Sequence, residues 1–211
     1  MKICCISDAA EARMAIRHGA SALGLVSAMP SGPGVITEQS ITEIARVVPP
    51  PVATFLLTCK QDAASIIAQQ RRCRVNTIQL CDSVEAEVYD ELRRALPGVS
   101  LVQVIHVAGR EALDEAASVS GKVDALLLDS GNQKLAVKEL GGTGRRHDWG
   151  ISRAIVESVD VPVFLAGGLD PANVAEAIET VRPFGLDVCS GVRTHGKLDE
   201  DKLERFFAGV S

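Results

Sequence analysis

With 211 residues the chain is long enough for one sizeable domain with a real core, and 46% apolar against 23% charged residues is an ordinary globular balance. The net charge of −5, with acidic and basic residues interspersed, excludes the basic stripe that nucleic acid binding needs. No apolar run approaches the roughly 18 residues of a membrane span.

The opening MKICCISDAA has no long apolar stretch of the kind a secretion signal carries. The six cysteines (4, 5, 59, 73, 81 and 189) show neither paired C-x-x-C spacing nor a compact framework, which reads as reduced thiols in a cytoplasmic protein. Aromatic residues make up only 3% of the chain, so the core falls to Val, Leu, Ile and Ala.

In chain order, KICCI (2–6) predicts a strand and AAEARMAIRHG (9–19) a helix, capped by Ser7 or Asp8 and stopped by Gly19. SALGLV (21–26) and TEQSITEIARVV (37–48) repeat the strand–helix pair, as do VATFLL (52–57) and QDAASIIAQQRRC (61–73). TIQLC (77–81) leads to SVEAEVYDELRRALPG (83–98), and LVQVI (101–105) to REALDEAASV (110–119). ALLLD (125–129) precedes a polar loop and WGISRAIVESV (149–159). VPVFLA (161–166) precedes PANVAEAIETVRP (171–183), with Asp170 as cap and Pro171 in the first turn. GLDVC (185–189) and DEDKLERFFAG (199–209) close the chain.

Most helical stretches carry apolar residues at i, i+3, i+4 and i+7. The strand runs are apolar on both faces, as parallel strands covered by helices are. Eight such units in one uninterrupted domain fit a (β/α)8 barrel. A doubly wound sheet would place its phosphate loop early, whereas here the glycine-rich turns are late, at GGTG (141–144), AGGL (166–169) and CSGV (189–192). Barrels hold phosphate on the loops after strands 7 and 8.

Barrel chemistry sits where strands end. Those positions carry Cys4 and Cys5, Ser27, Thr58 and Cys59, Cys81 and Asp82, His106, Asp129, Gly167 and Gly168, Ser190 and Gly191. The glycines let backbone N–H groups approach an anion, and a helix starting after Gly168 would point its positive end at a phosphate monoester. Asp129 ends a buried strand on the rim, where it is either a proton donor, or a cap or surface salt-bridge partner. By strand alternation one of Cys4 and Cys5 faces the barrel interior and the other the helices; periodicity does not say which. No local ligand spacing suggests a metal site.

KICCIS (2–7), GASALGLV (19–26), IQL (78–80), LLLDS (126–130), GGTG with DW (141–149), LAGGLDPANVAEAI (165–178) and RPFGLDVCSGV (182–192) together resemble the phosphoribosylanthranilate isomerase family over nearly the whole chain. The resemblance implies a single (β/α)8 barrel of tryptophan biosynthesis, a monomer or homodimer, acting without metal or organic cofactor on a small phosphorylated sugar derivative. In such enzymes an aspartic acid protonates the furanose oxygen and opens the ring to a Schiff base. A cysteine thiolate then removes the C2′ proton. By motif, Cys4 would be the base and Asp129 the acid. Gly142, Gly144, Gly167, Gly168, Ser190 and Gly191 would line the phosphate end, with Asp187 beneath.

The chain departs from the family pattern on the aglycone side. MPSGPGV (29–35) lacks the arginine that binds the anthranilate carboxylate. Cys81–Asp82 stands for histidine–glycine, Gln103 for a lysine with His106 just beyond, His147 for a phenylalanine and Arg193 for a glutamate. Asp82, Gln103, His106, His147, Asp187 and Arg193 are therefore candidate substrate contacts, and Arg145, Arg146 or Arg193 a replacement cation. Alternative readings are an isomerase or lyase of the same fold acting on another phosphorylated sugar or aminosugar, and a non-catalytic phosphate-binding barrel.

Overall fold

A computed structural model describes residues 1–131, 135–142 and 144–210; Thr143 of the GGTG motif lies outside them. Eight parallel strands, β1 (Lys2–Ile3), β2 (Ala22–Val26), β3 (Ala53–Thr58), β4 (Thr77–Leu80), β5 (Ser100–His106), β6 (Ala125–Asp129), β7 (Val163–Leu165) and β8 (Gly185–Val188), close in sequence order, with β1 pairing to both β2 and β8. The helices between them are α1 (Ala9–Arg17), α2 (Glu38–Val47), α3 (Ala63–Cys73), α4 (Ala86–Ala95), α5 (Glu111–Ser120), α6 (Trp149–Ser158) and α7 (Val174–Val181). A 3-10 turn (Ser190–Val192) and a hairpin of β9 (Arg193–Thr194) and β10 (Lys197–Leu198) lead into α8 (Glu200–Ala208). No helix among the described residues is long and apolar enough to cross a membrane.

Strand residues alternate between two apolar layers. Ala22, Val26, Phe55, Leu57, Val102, Val104, Ala125 and Leu127 fill the barrel, while Leu23, Leu25, Leu56, Ile78, Ile105, Leu126 and Leu128 pack beneath the helices. The period of two puts Asp129 on the same side as Ala125 and Leu127, pointing inward at the rim. It puts Gln103 on the opposite side from Val102 and Val104.

Two local expectations are corrected. Asp8 caps α1 by accepting from the N–H groups of Ala10 and Glu11, but Asp170 does not head α7. Its Oδ1 accepts from Ala172 and Asn173 N–H instead, and Asn173 Oδ1 accepts from Asp170 N–H. This closed turn occupies 171–173, so α7 starts at Val174, and Asn173 Nδ2 ties the turn to the Gly168 carbonyl at 2.8 Å. Strand β1 also stops at Ile3, although Cys4 N–H still bonds to Val188 O and Ile6 N–H to Gly24 O. The break is at Cys5, whose φ is 60°. A left-handed residue interrupts the pleat, so Cys4 and Cys5 do not split between interior and helix layer. Both side chains join the inner cluster.

Candidate active site

A cleft opens at the C-terminal end of the barrel, the face on which barrels of this kind carry their ligand sites. Its floor is built around β1. Lys2, two residues before Cys4, faces the interior with it and is fully buried. Its Nζ lies 2.9 Å from Asp187 Oδ2, 3.7 Å from Cys4 Sγ and 5.2 Å from the Phe55 ring centroid. Burial alone would lower the lysine pKa, but the Asp187 charge and the Cys4 and Cys81 thiols outweigh it, and the pKa is raised. A buried ammonium therefore stands 3.7 Å from the Cys4 sulfur. Gly24 makes room for this arrangement, since a Cβ there would lie 2.6 Å from Cys4 Sγ.

Cys5 sits in a different field. Its Sγ contacts Cys189 Sγ at 2.6 Å, and hydrogen bonding to Cys189 and Cys4, reinforced by burial, raises its pKa well above the usual thiol value. Cys81, buried at the end of β4, is raised too, by desolvation. Cys4 is the thiol that receives a direct contact from the Lys2 ammonium, at 3.7 Å.

Asp129 enters the cleft from β6, three strands from β1 by way of β7 and β8. Its Oδ1 accepts from Ser130 N–H at 2.7 Å. Loop 166–169 crosses directly above it: Gly167 has φ 82°, and a Cβ there would lie 3.2 Å from Asp129 Oδ1 and 3.0 Å from His147 Nδ1. Gly142, Gly144, Gly167, Gly168, Ser190 and Asp187 all line the cleft. Gly191 does not. It lies behind the wall, against the backbone of Leu169 and Asp170, and its small size lets the loops after β7 and β8 pack together.

The 29–35 turn closes the remaining side. Ser31 Oγ donates to Lys138 O at 2.7 Å, and Gly32 approaches the Gly141 carbonyl. On the floor, Gln79 Oε1 and Asp187 Oδ1 are buried and make no hydrogen bond among the described residues. Both belong to cleft-lining side chains, so they are available to accept from ligand hydroxyls. Lys2 and Gln79 are missing from the sequence-based site. The signal for Lys2 was a charged residue two positions from Cys4, on the same face of a buried strand.

A family model described as N-(5′-phosphoribosyl)anthranilate (PRA) isomerase matches residues 1–209. The N-(5′-phosphoribosyl)anthranilate isomerase of Methanocella arvoryzae is 35% identical over 207 residues, covering 98% of this chain and 95% of the relative. The chain belongs to this family. The phosphoribosyl anthranilate isomerase of Thermococcus kodakaraensis is similar in structure, with a TM-score of 0.83 at 28% identity over 99% of this chain and 97% of that one. A phosphoribosyl anthranilate isomerase in complex with reduced 1-(o-carboxyphenylamino)-1-deoxyribulose 5-phosphate gives 0.79 at 25% identity, covering 99% and 96%.

Set against the phosphoribosylanthranilate isomerase pattern, the residues that differ in this chain mostly lie outside the cleft. Gln103 faces α4: its Oε1 accepts from Tyr89 Oη at 2.8 Å, and its Nε2 donates to the carbonyls of Leu80, Asp82 and Val104. Asp82 is buried and paired with Lys138 at 2.6 Å. His106 Nε2 donates to Cys81 O at 2.9 Å. Arg193 is buried under β1, with Nη1 2.9 Å from Glu11 Oε1 and Nη2 donating to the carbonyls of Cys4 and Cys5. As strand and turn fasteners, none of these four lines the cleft, and Arg193 is not a replacement cation. Of the remaining candidate cations, Arg145 pairs with Glu139, while Arg146 stacks on Trp149 and reaches Glu176; both line a neighbouring cavity instead.

His147 lines that second cavity too, with Nε2 2.7 Å from Ser152 Oγ. Burial lowers its pKa below the ordinary 6.5, against the pull of Asp129 and Asp148. A buried neutral imidazole leaves stability untouched above that value. Below it the unfolded chain takes up a proton that the folded chain resists, so stability falls as pH drops through 6.5 and below. Urea midpoints measured across that range should fall less steeply in His147→Gln than in the parent; equal slopes would remove His147 from the acid response.

Proposed function

We propose that Cys4 and Asp129 are the base and the acid of an Amadori rearrangement of N-(5′-phosphoribosyl)anthranilate, making the chain an isomerase of the aldose–ketose type. The observation that carries this reading is a pairing across one cleft. A thiol flanked by a buried ammonium faces a rim carboxyl three strands away, and the glycine loops after β7 and β8 lie between them.

With the phosphate against Gly144, Gly167, Gly168 and Ser190, the furanose lies between the two side chains. Asp129 gives its proton to the ring oxygen as the C1′–O bond breaks, and the nitrogen lone pair forms the Schiff base. Cys4 thiolate then takes the C2′ proton. The released electron pair forms the C1′–C2′ double bond of the enolamine as the imine pair returns to nitrogen, and protonation at C1′ with loss of the C2′ hydroxyl proton leaves the ketone. The Lys2 ammonium lies 3.7 Å from the sulfur that takes the C2′ proton, and Gln79 and Asp187 have acceptor atoms for the sugar hydroxyls. Val26, Met29 and Leu57 supply apolar surface for an aromatic aglycone. With all six cysteines free, this reading suits a cytoplasmic enzyme, monomeric or homodimeric, acting on a free small molecule.

Cys4→Ser tests the assignment of the base. Its turnover should fall roughly 10²–10⁴-fold, the usual contribution of a positioned proton-transfer group, with inorganic phosphate still bound. If Cys4→Ser kept its rate while Cys5→Ser lost it, the base would be Cys5. A second reading, the same chemistry on a phosphorylated aminosugar without an anthranilate carboxylate, is favoured by one observation: among the described residues, no Lys or Arg lines the cleft.

A further inference from the structure

Proton transfer as proposed above uses one of the thiols in the cleft and leaves two others side by side on its wall. Cys5 and Cys189 come from opposite ends of the chain, just beyond β1 and β8, which are neighbours in the closed barrel. Their sulfurs are 2.6 Å apart and unbonded. Two features bring them together. The left-handed backbone at Cys5 turns its side chain into the cleft. Cys189, at the end of β8, immediately precedes the phosphate-end Ser190 and is only partly buried, so a solute in the cleft can reach it.

We propose that Cys5 and Cys189 are a redox-reactive pair, converted by a low-molecular-weight disulfide into an intramolecular disulfide that disables the cleft. The pair is asymmetric in the way such exchange requires. The 2.6 Å contact between the two sulfurs, with the Arg193 charge, lowers the pKa of Cys189 despite its burial, while the same contact raises that of Cys5. Cys189 thiolate attacks one sulfur of the small disulfide, forming a mixed disulfide and expelling one small thiolate. Cys5 then loses its proton and attacks Cys189 Sγ, expelling the second. The protein is oxidised by two electrons and the small disulfide is reduced to two thiols, which take up the protons. The new bond has a length of about 2.05 Å, so it draws the β1 end, which carries Cys4, toward the loop carrying Ser190. This displaces the proposed base and narrows the phosphate end together. That inhibitory half rests on the reading of the cleft given above; the chemistry of the pair does not.

The test is to incubate the full chain with oxidised glutathione, block remaining thiols by alkylation, and map the product by mass spectrometry. Alkylatable thiols should fall from six to four, with one cross-link joining the peptides of Cys5 and Cys189 and with dithiothreitol restoring all six. Inorganic phosphate binding, followed by calorimetry, should be lost in the oxidised protein and recovered on reduction, as should turnover of N-(5′-phosphoribosyl)anthranilate. Cys189→Ser and, independently, Cys5→Ser should form no such cross-link. Six alkylatable thiols after oxidant, a Cys4–Cys5 link, or a stable glutathione adduct without the internal bond would overturn the pair. A Cys5–Cys189 link that leaves phosphate binding intact would overturn the inhibition alone.

Discussion

Asp129→Asn should cost roughly 10²–10⁴-fold in turnover, the range for a positioned general acid, with little effect on folding or on phosphate affinity. The amide keeps the shape of the side chain and can still accept from Ser130 N–H, as Asp129 Oδ1 does at 2.7 Å, but it has no acidic proton for a ring oxygen. The phosphate contacts proposed for Gly167, Gly168 and Ser190 come from other loops and remain. The two readouts should therefore separate, with kcat falling and inorganic phosphate binding unchanged by calorimetry. A variant at full rate would remove Asp129 from the chemistry. One that lost phosphate binding as well would show the carboxylate to be a fastener of the 166–169 loop.

Arg193→Ala should be the most damaging change to stability, at about 3–5 kcal/mol, because removing one partner leaves a buried charge uncompensated. Glu11 Oε1 and Oε2 accept from both Arg193 nitrogens and also from Ser7 and Leu198 N–H, so this carboxylate joins the β1–α1 turn to the chain after β8. Its pKa is lowered: Arg193 and the backbone donors outweigh the opposing effect of burial. The stability it gives is complete above its ordinary 4.5 and is lost as pH falls through the lowered value. Urea unfolding checks the size of the effect. Replacing both partners, Glu11→Leu with Arg193→Leu, should cost less than Arg193→Leu alone, because no charge is then stranded. A single variant as stable as the parent would contradict the role given to the pair.

Much of this was legible in the sequence because the barrel repeats one strong signal. Each apolar run of five or six residues beside a helical period marked a strand, and β2 to β8 lie where those runs predicted. The late glycine turns likewise pointed to the cleft. Faces were not legible. In strands apolar on both sides, alternation carries no polarity contrast, so nothing marked Gln103 as facing α4 while its neighbours Val102 and Val104 filled the barrel. The left-handed conformation at Cys5 was hidden for a related reason, since a cysteine gives no turn signal of the kind Gly or Asn gives. Arg193 was misplaced because its partner Glu11 is distant in sequence, and a buried ion pair between chain ends has no local signature.

The most direct measurement is turnover of freshly generated N-(5′-phosphoribosyl)anthranilate by the purified protein, followed by loss of its fluorescence, with Asp129→Asn as control. A kcat/KM of about 10⁴ M⁻¹s⁻¹ or more, within the ordinary enzyme range, and abolished in the variant, is the expected result. No turnover, with inorganic phosphate still bound, would contradict the anthranilate substrate and point to a phosphorylated aminosugar that needs no carboxylate partner.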